Sequence, residues 1–324
     1  MDKAIFVLMP TRFERSRSTL RLASRRSPLA LCQASLVAER LSRVLSEVEI
    51  EVVPVHTRGD TLIDVALDRI GGRGVFVTEV QGALLRGEAD VAVHSAKDLP
   101  SGTIDGLRVG AVLERGDPRD ALVGMCLSEL PSGAVIATGS ARRRAQLANL
   151  RPDLTFADLR GNMARRVEAA GSGAHCVVVA AAAMSRLGWN DRVAEILPTT
   201  VLLPQVGQGT IAVECRADDF VTAELLAEID DRDSRITLSA ERAFLDQVSG
   251  SCSLPLAALA TVDRRGEITL DAMLLSGDGR VMVKISKRGS DPVSLGAEAG
   301  NYAIDECGAQ AIDGFDVGLP GVRK

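Results

Sequence analysis

The chain has 324 residues, a net charge of −5, 25% charged residues and only 3% aromatic residues. That length suits two or three domains, and the acidic balance argues against a general nucleic-acid binder. No apolar run reaches the roughly 18–20 residues of a membrane span, so no membrane partner is expected. Ala4–Pro10 is apolar but short and lacks a small-residue cleavage site, so it does not read as a signal peptide.

Taken in chain order, residues 1–18 read as an extension ahead of the fold. Leu20–Ser24 reads as a strand and Pro28–Ser46 as a helix. Glu49–Val55 follows as a strand, Val75–Arg86 as a helix and Asp90–Ser95 as a strand. Gly133–Thr138 (strand), Ala141–Leu150 (helix), Cys176–Ala180 (strand) and Ile211–Cys215 (strand) continue the pattern. Strands alternating with helices predict an α/β chain with mixed, mostly parallel sheets. The end of the chain differs. A helix over Leu238–Gln247 precedes three successive strands, Pro255–Val262, Glu267–Leu275 and Arg280–Lys287, with the turn Gly277-Asp278-Gly279. A helix over Pro292–Ile312 closes an α+β unit with an antiparallel sheet.

Six cysteines and three histidines are scattered with no CxxC pair. Neither a zinc site nor a disulfide framework follows from that spacing, no metal is expected, and a reducing cytoplasm is the natural compartment.

Only five of the 38 basic residues are lysine. An Arg-rich genome explains such a bias in number, but not the positions. Three strand-to-helix junctions carry arginines in the same place. Arg25 and Arg26 precede Ser27-Pro28, an N-cap followed by a good first helical residue. Ser140 caps a helix whose first turn holds Arg142, Arg143 and Arg144. Arg160 precedes Gly161 and the cap Asn162, with Arg165 and Arg166 following. Cations at a helix N-terminus cost a few tenths to about 1 kcal/mol each. Helix N-termini bind anions, and ligands of open α/β sheets gather at the carboxyl ends of strands. The pattern predicts a cleft for a polycarboxylate or polyphosphate, to which the planar guanidinium fork is suited. Gly71–Gly74 and Gly207–Gly209 lack the Lys-Ser/Thr ending of a phosphate loop.

Lys97 and Asp98 close the strand Asp90–Ser95, which puts one carboxylate among these cations; taken alone, an Asp before Pro100 is a turn cap. Its charge is stabilised there, so it stays ionised at neutral pH. His94 reads as a core residue. Cys252 lies on the small-residue loop Val248–Pro255. It is the best of six candidates for an exposed thiol, although a lone cysteine is inert more often than not.

These segments together carry a resemblance. LASRRSPLALCQA (Leu22–Ala34), TRGD (Thr57–Asp60), IGGRGVFV (Ile70–Val77), ADVAVHSAKDLP (Ala89–Pro100), RGDPRDA (Arg115–Ala121), Thr138–Leu147, RPDL (Arg151–Leu154), LRGN (Leu159–Asn162), LPQVGQGTIAVECR (Leu203–Arg216) and ERAFLDQVSGSCSLP (Glu241–Pro255) occur in this order. In that order and spacing they resemble the hydroxymethylbilane synthase (porphobilinogen deaminase) family over nearly the whole chain.

The resemblance implies two domains like those of type II periplasmic binding proteins and a smaller third. They would span 19–113 with 210–229, 114–209, and 230–324. It implies a dipyrromethane cofactor thioether-linked to Cys252 and bound by Lys97, Ser140, Arg142, Arg143, Arg160, Gly161 and Arg166. It implies porphobilinogen binding by Arg25, Ser27, Arg186 and Phe76, with Asp98 as the catalytic aspartate of a cytoplasmic monomer. The activity implied is condensation of four porphobilinogens with loss of ammonia, then hydrolytic release of a linear tetrapyrrole. The arginine junctions fit, because each pyrrole bears an acetate and a propionate. A fixed carboxylate would stabilise the electron-poor azafulvene and the pyrrole cation, and a tether removes the need to rebind the primer. Ser251, Arg69, Arg73 and Gly139 depart from the family pattern. Gly139 replaces a serine and removes a hydroxyl from the cofactor side. The alternative is a non-catalytic carboxylate-binding protein of the same two-lobed fold, which needs the arginines but neither Cys252 nor Asp98.

Overall fold

The computed structural model describes residues 13, 17–45, 47–57, 77–248 and 255–312. Arg69, Arg73, Phe76, Ser251 and Cys252 lie outside the described residues.

Two five-stranded sheets share one plan. The first contains β1 (Thr19–Arg25), β2 (Glu49–Val55), β3 (Val91–Ser95), β4 (Leu107–Val112) and β10 (Ile211–Arg216), in the order β2-β1-β3-β10-β4. The second contains β5 (Asp120–Gly124), β6 (Val135–Ala137), β7 (Thr155–Ala157), β8 (Cys176–Ala180) and β9 (Glu195–Leu197), in the order β7-β6-β8-β5-β9. In each, three parallel neighbours are followed by one antiparallel strand, β10 or β5, and a fifth strand that restores the common direction. The expected mixed, mostly parallel sheets are therefore present twice. Strands β4, β5, β7 and β9 were not anticipated from the sequence. Two of them have only three residues, too few to show a period.

Helices cover the sheets: α1 (Pro28–Ser42), α2 (Thr78–Leu85), α3 (Ala141–Leu150), α4 (Met163–Glu168), α5 (Ala181–Arg186) and α6 (Phe220–Ala227). The first core joins Leu20, Leu22, Val37, Leu41, Val91 and Val213, all fully buried. Phe13, inside the stretch expected to be an extension, belongs to this core at 1% exposure. Arg17 adds contacts to Asp90 and Asp219 at 3.2 and 2.9 Å. An aromatic ring removed from water this way contributes roughly 1.5–3 kcal/mol, which favours keeping Phe13 in this core.

The chain leaves the first sheet after β4, builds the second and returns into β10. Two crossing segments, 113–119 and 198–210, therefore join the lobes. The third unit holds α7 (Arg232–Val248), the antiparallel strands β11 (Leu256–Val262), β12 (Ile268–Leu275) and β13 (Met282–Gly289), and α8 (Pro292–Asp305). Its last helix is shorter than the sequence pattern predicts. It stops at Asp305, and Gly308 at φ 68° turns the chain. Helices α7 and α8 lie close together around Phe244, Leu295 and Ala299. A side chain at Gly296 would strike the backbone of Ala240 and Phe244, and one at Gly300 would strike Gln247.

All three units meet at Glu241, which is fully buried. Its carboxylate accepts from Arg115 Nη1 (2.5 Å) and Nη2 (3.3 Å), from the Gly207 amide (2.7 Å) and from the Ala260 amide (2.9 Å). Those partners belong to the two crossing segments and to β11.

Candidate active site

The three arginine-bearing junctions form as the caps predict. Ser27 accepts from the Ala30 amide at 3.3 Å, Ser140 from the Arg143 amide at 3.4 Å and Asn162 from the Arg165 amide at 3.1 Å. Each cap satisfies one of the N–H groups that a helix start leaves open. Arg25 ends β1, Lys97 and Asp98 follow β3, Ser140 follows β6 and Arg160 follows β7. These are carboxyl ends of parallel strands, where α/β sheets bind ligands.

Lys97 and Asp98 lie in a single 3₁₀ turn, Ala96–Asp98, and both are half-buried. The second crossing segment presses against that turn. Gly207 has φ 70°, and a Cβ there would come within 3.0 Å of the Ala96–Lys97 peptide, so glycine is needed twice over. Gln205 Nε2 donates to the Lys97 carbonyl at 3.2 Å. Burial, reinforced by the charges of Arg143 and Arg166 and opposed by Asp98 and Asp120, pushes the Lys97 ammonium down to about 8. Arg166 is lowered as well, first by burial, then by Arg143, Arg160 and Arg25, while Asp98 works the other way. Arg25, Asp98, Arg143, Arg160 and Arg166 thus share one electrostatic neighbourhood, drawn from both lobes. Arg166 Nε is held on the Gly161 carbonyl at 2.8 Å, and Gly161 adopts φ 95°, which favours glycine.

Arg186 sits apart from that cluster. Its Nη2 donates to the Gly209 carbonyl at 2.6 Å, and the Cys32 thiol donates to the Arg186 carbonyl at 3.0 Å. It therefore bridges the second lobe to the crossing segment and to α1. Burial lowers its pKa.

Arg142 and Arg143 are 5% and 6% exposed, far from the open cations that a sequence of three consecutive arginines suggests. Both turn inward onto Asp120, the first residue of β5. Asp98 is accordingly not the one carboxylate among the cations. Asp120 is completely buried; burial alone would raise it, but Arg142, Arg143 and Gln208 hold it at about 2. Sequence reasoning gave no role to Asp120, Gln208, Arg115 or Glu241. The signal available was the segment RGDPRDA, which contains both Arg115 and Asp120.

Such a site can hold several carboxylates around one half-buried carboxylate. A polycarboxylate cofactor fits the residues present, since cations outnumber carboxylates here. Arg142 Nε, moreover, is buried and makes no hydrogen bond. Phe76 and Cys252 fall outside the described residues, so their places relative to the cluster are not given. No group of three metal-ligating side chains occurs among the described residues. Among them, too, no helix is long and apolar enough to cross a membrane.

Comparison with known proteins gives the family. Residues 20–224 match the family description "Porphobilinogen deaminase, dipyromethane cofactor binding domain", and residues 236–305 match "Porphobilinogen deaminase, C-terminal domain". A porphobilinogen deaminase of Brevibacillus brevis is 42% identical over 86% of this chain and 91% of its own length. One from Roseiflexus is 43% identical over 92% of this chain and 100% of its own. A looser likeness, with TM-score 0.41 and 15% identity, covers 71% of this chain and 94% of the periplasmic VFT2 domain of Bordetella pertussis BvgS. With family matches over both the lobes and the third unit, the chain belongs to the porphobilinogen deaminase family.

Proposed function

We propose that this chain is a hydroxymethylbilane synthase, which condenses four porphobilinogens onto a dipyrromethane and releases the tetrapyrrole by hydrolysis. The observation that carries this reading is the gathering of Asp98, Arg143, Arg160 and Arg25 in the neighbourhood of Arg166 and Lys97 at the strand ends. A dipyrromethane bound through Cys252 would supply a primer with a nucleophilic pyrrole carbon and four carboxylates. Lys97, Ser140, Arg142, Arg143, Arg160, Gly161 and Arg166 form the wall that would receive those carboxylates. Arg25, Ser27, Arg186 and Phe76 serve the incoming porphobilinogen.

Asp98 works through charge. Its carboxylate accepts hydrogen bonds from pyrrole N–H groups and stabilises positive charge as ammonia leaves and as the new carbon–carbon bond forms. The same carboxylate can accept the proton released on rearomatisation. The enzyme is a cytoplasmic monomer on this reading, with no nucleic-acid partner. The acidic net charge and the unpaired cysteines among the described residues support it.

Intact mass tests the reading. The wild-type chain, purified from cells that make porphobilinogen, should exceed its sequence mass by one dipyrromethane, and Cys252→Ala should lose the excess. An unmodified wild-type chain from such cells would overturn the proposal.

A further inference from the structure

Asp120 is a completely buried charged group of the second lobe and has no step assigned to it. Its Oδ1 accepts from Arg143 Nε (3.0 Å), Arg143 Nη2 (2.6 Å) and Gln208 Nε2 (2.9 Å), and its Oδ2 from Arg142 Nη2 (2.8 Å). The two guanidiniums are also fixed to carbonyls, Arg142 Nη1 to Leu203 (2.6 Å) and Arg143 Nη1 to Val178 (2.8 Å). Gln208 spans the gap to the first crossing segment through the Pro118 carbonyl at 2.8 Å. One buried carboxylate thus ties together the start of α3, strand β8 and both crossing segments.

As a stability device this arrangement is poor. Two positive charges share one negative charge out of water, and apolar residues of similar volume would commonly serve the fold as well. The arrangement makes sense where the arginines themselves are needed. Five donors belong to each guanidinium, and the bonds of Arg143 leave one further N–H on each of Nη1 and Nη2. Without a counter-charge, Arg142 and Arg143 would repel each other and the neighbouring Lys97.

We propose that Asp120 is a positioning residue: it provides the fixed negative charge that lets Arg142, Arg143 and Lys97 stand together at the cofactor side of the cleft. The inference deepens the proposed function and rests on it for the identity of the bound group. The charged groups facing Lys97 are Asp98, Asp120, Arg143 and Arg166, and Asp120 is one of the two that favour its protonated form. Asp120 therefore favours the charged form of Lys97, beside Asp98, as well as fixing the arginines.

The test uses the full chain and two readouts. The first is the fraction carrying dipyrromethane, by intact mass, after expression with limiting porphobilinogen. The second is the pH profile of Lys97 acetylation, by peptide mapping in the Cys252→Ala background, where no cofactor is attached. Asp120→Asn should stay folded by circular dichroism and lower the loaded fraction several-fold. It should also move the Lys97 midpoint to lower pH by about half a unit or more. Asp120→Glu keeps the charge and shifts its position. It should leave the Lys97 midpoint near wild type while the loaded fraction falls between the other two. A folded Asp120→Asn with wild-type loading and an unmoved Lys97 midpoint overturns the inference. Should Asp120→Asn fail to fold, wild-type loading in Asp120→Glu overturns it. A wild-type chain without excess mass sinks the proposed function instead, and the Lys97 profile still judges Asp120.

Discussion

Glu241→Gln is the perturbation whose size the structure fixes best. The side chain keeps its shape, but one oxygen becomes a donor among donors. Arg115, whose side chain is 11% exposed, loses its counter-charge, and at least one of the Gly207 and Ala260 amides or an Arg115 N–H faces an NH₂ group. An unsatisfied buried donor costs about 1–3 kcal/mol, and breaking a buried ion pair costs about 3–5 kcal/mol. We expect a loss of about 4 kcal/mol, a large part of the roughly 5–15 kcal/mol that separates folded from unfolded chains. The loss should also be local. Glu241 joins the third unit to the crossing segments, whereas Trp189, the chain's single tryptophan, packs in the second lobe. Urea unfolding followed by far-ultraviolet ellipticity and by Trp189 fluorescence should give coincident curves in wild type. In the variant, the ellipticity curve should begin at lower urea than the fluorescence curve. A loss below about 1 kcal/mol, or two probes shifting together, would refute the assignment of Glu241 as the junction of the three units.

Asp98→Asn should fold normally and lose about 10²–10⁴ in turnover, because the change removes charge and proton acceptance but not shape; near-normal rates would remove Asp98 from the chemistry. At Gly139 a Cβ would stand 2.6 Å from the Leu159 carbonyl, so Gly139→Ser should cost about 1–3 kcal/mol in thermal melts and push the Arg160 loop away. Unchanged stability would show that the two loops do not sit this close. Lys97 titrates near 8 in the fold against an ordinary 10.5. Between those values the unfolded chain binds the extra proton, so stability should rise with pH across that window; below it, the penalty is constant. Lys97→Met should flatten that rise, as read by denaturant midpoints at several pH values.

What could be read from sequence was local. Ser27, Ser140 and Asn162 announce helix starts because a cap and its amide lie three residues apart. The arginines at those starts pointed to the cleft for the same reason. Asp120 and Glu241 were silent because their partners lie 19 to 126 residues away. In sequence, Asp120 is one acid in the charged segment RGDPRDA and Glu241 one charge on a helix; only the tertiary fold brings their cations to them. The inward turn of Arg142 and Arg143 was missed likewise, since a basic run looks solvent-facing until its acid is found. Phe13 was hidden by the polar, Arg-rich stretch around it, which carries no periodic pattern.

The glycine-tight seating of α8 on α7 has a mechanical corollary. It makes Val248 a firm stake, and Pro255, leading into β11, is the other. Whatever path 249–254 takes, Cys252 is four residues from one stake and three from the other. Its leash is thus at most about 14 and 10 Å long. An oligomer lengthening ring by ring outruns so short a radius. Under the proposed function, a chain growing at its free end therefore has to shift its older rings relative to an anchor that cannot leave that radius.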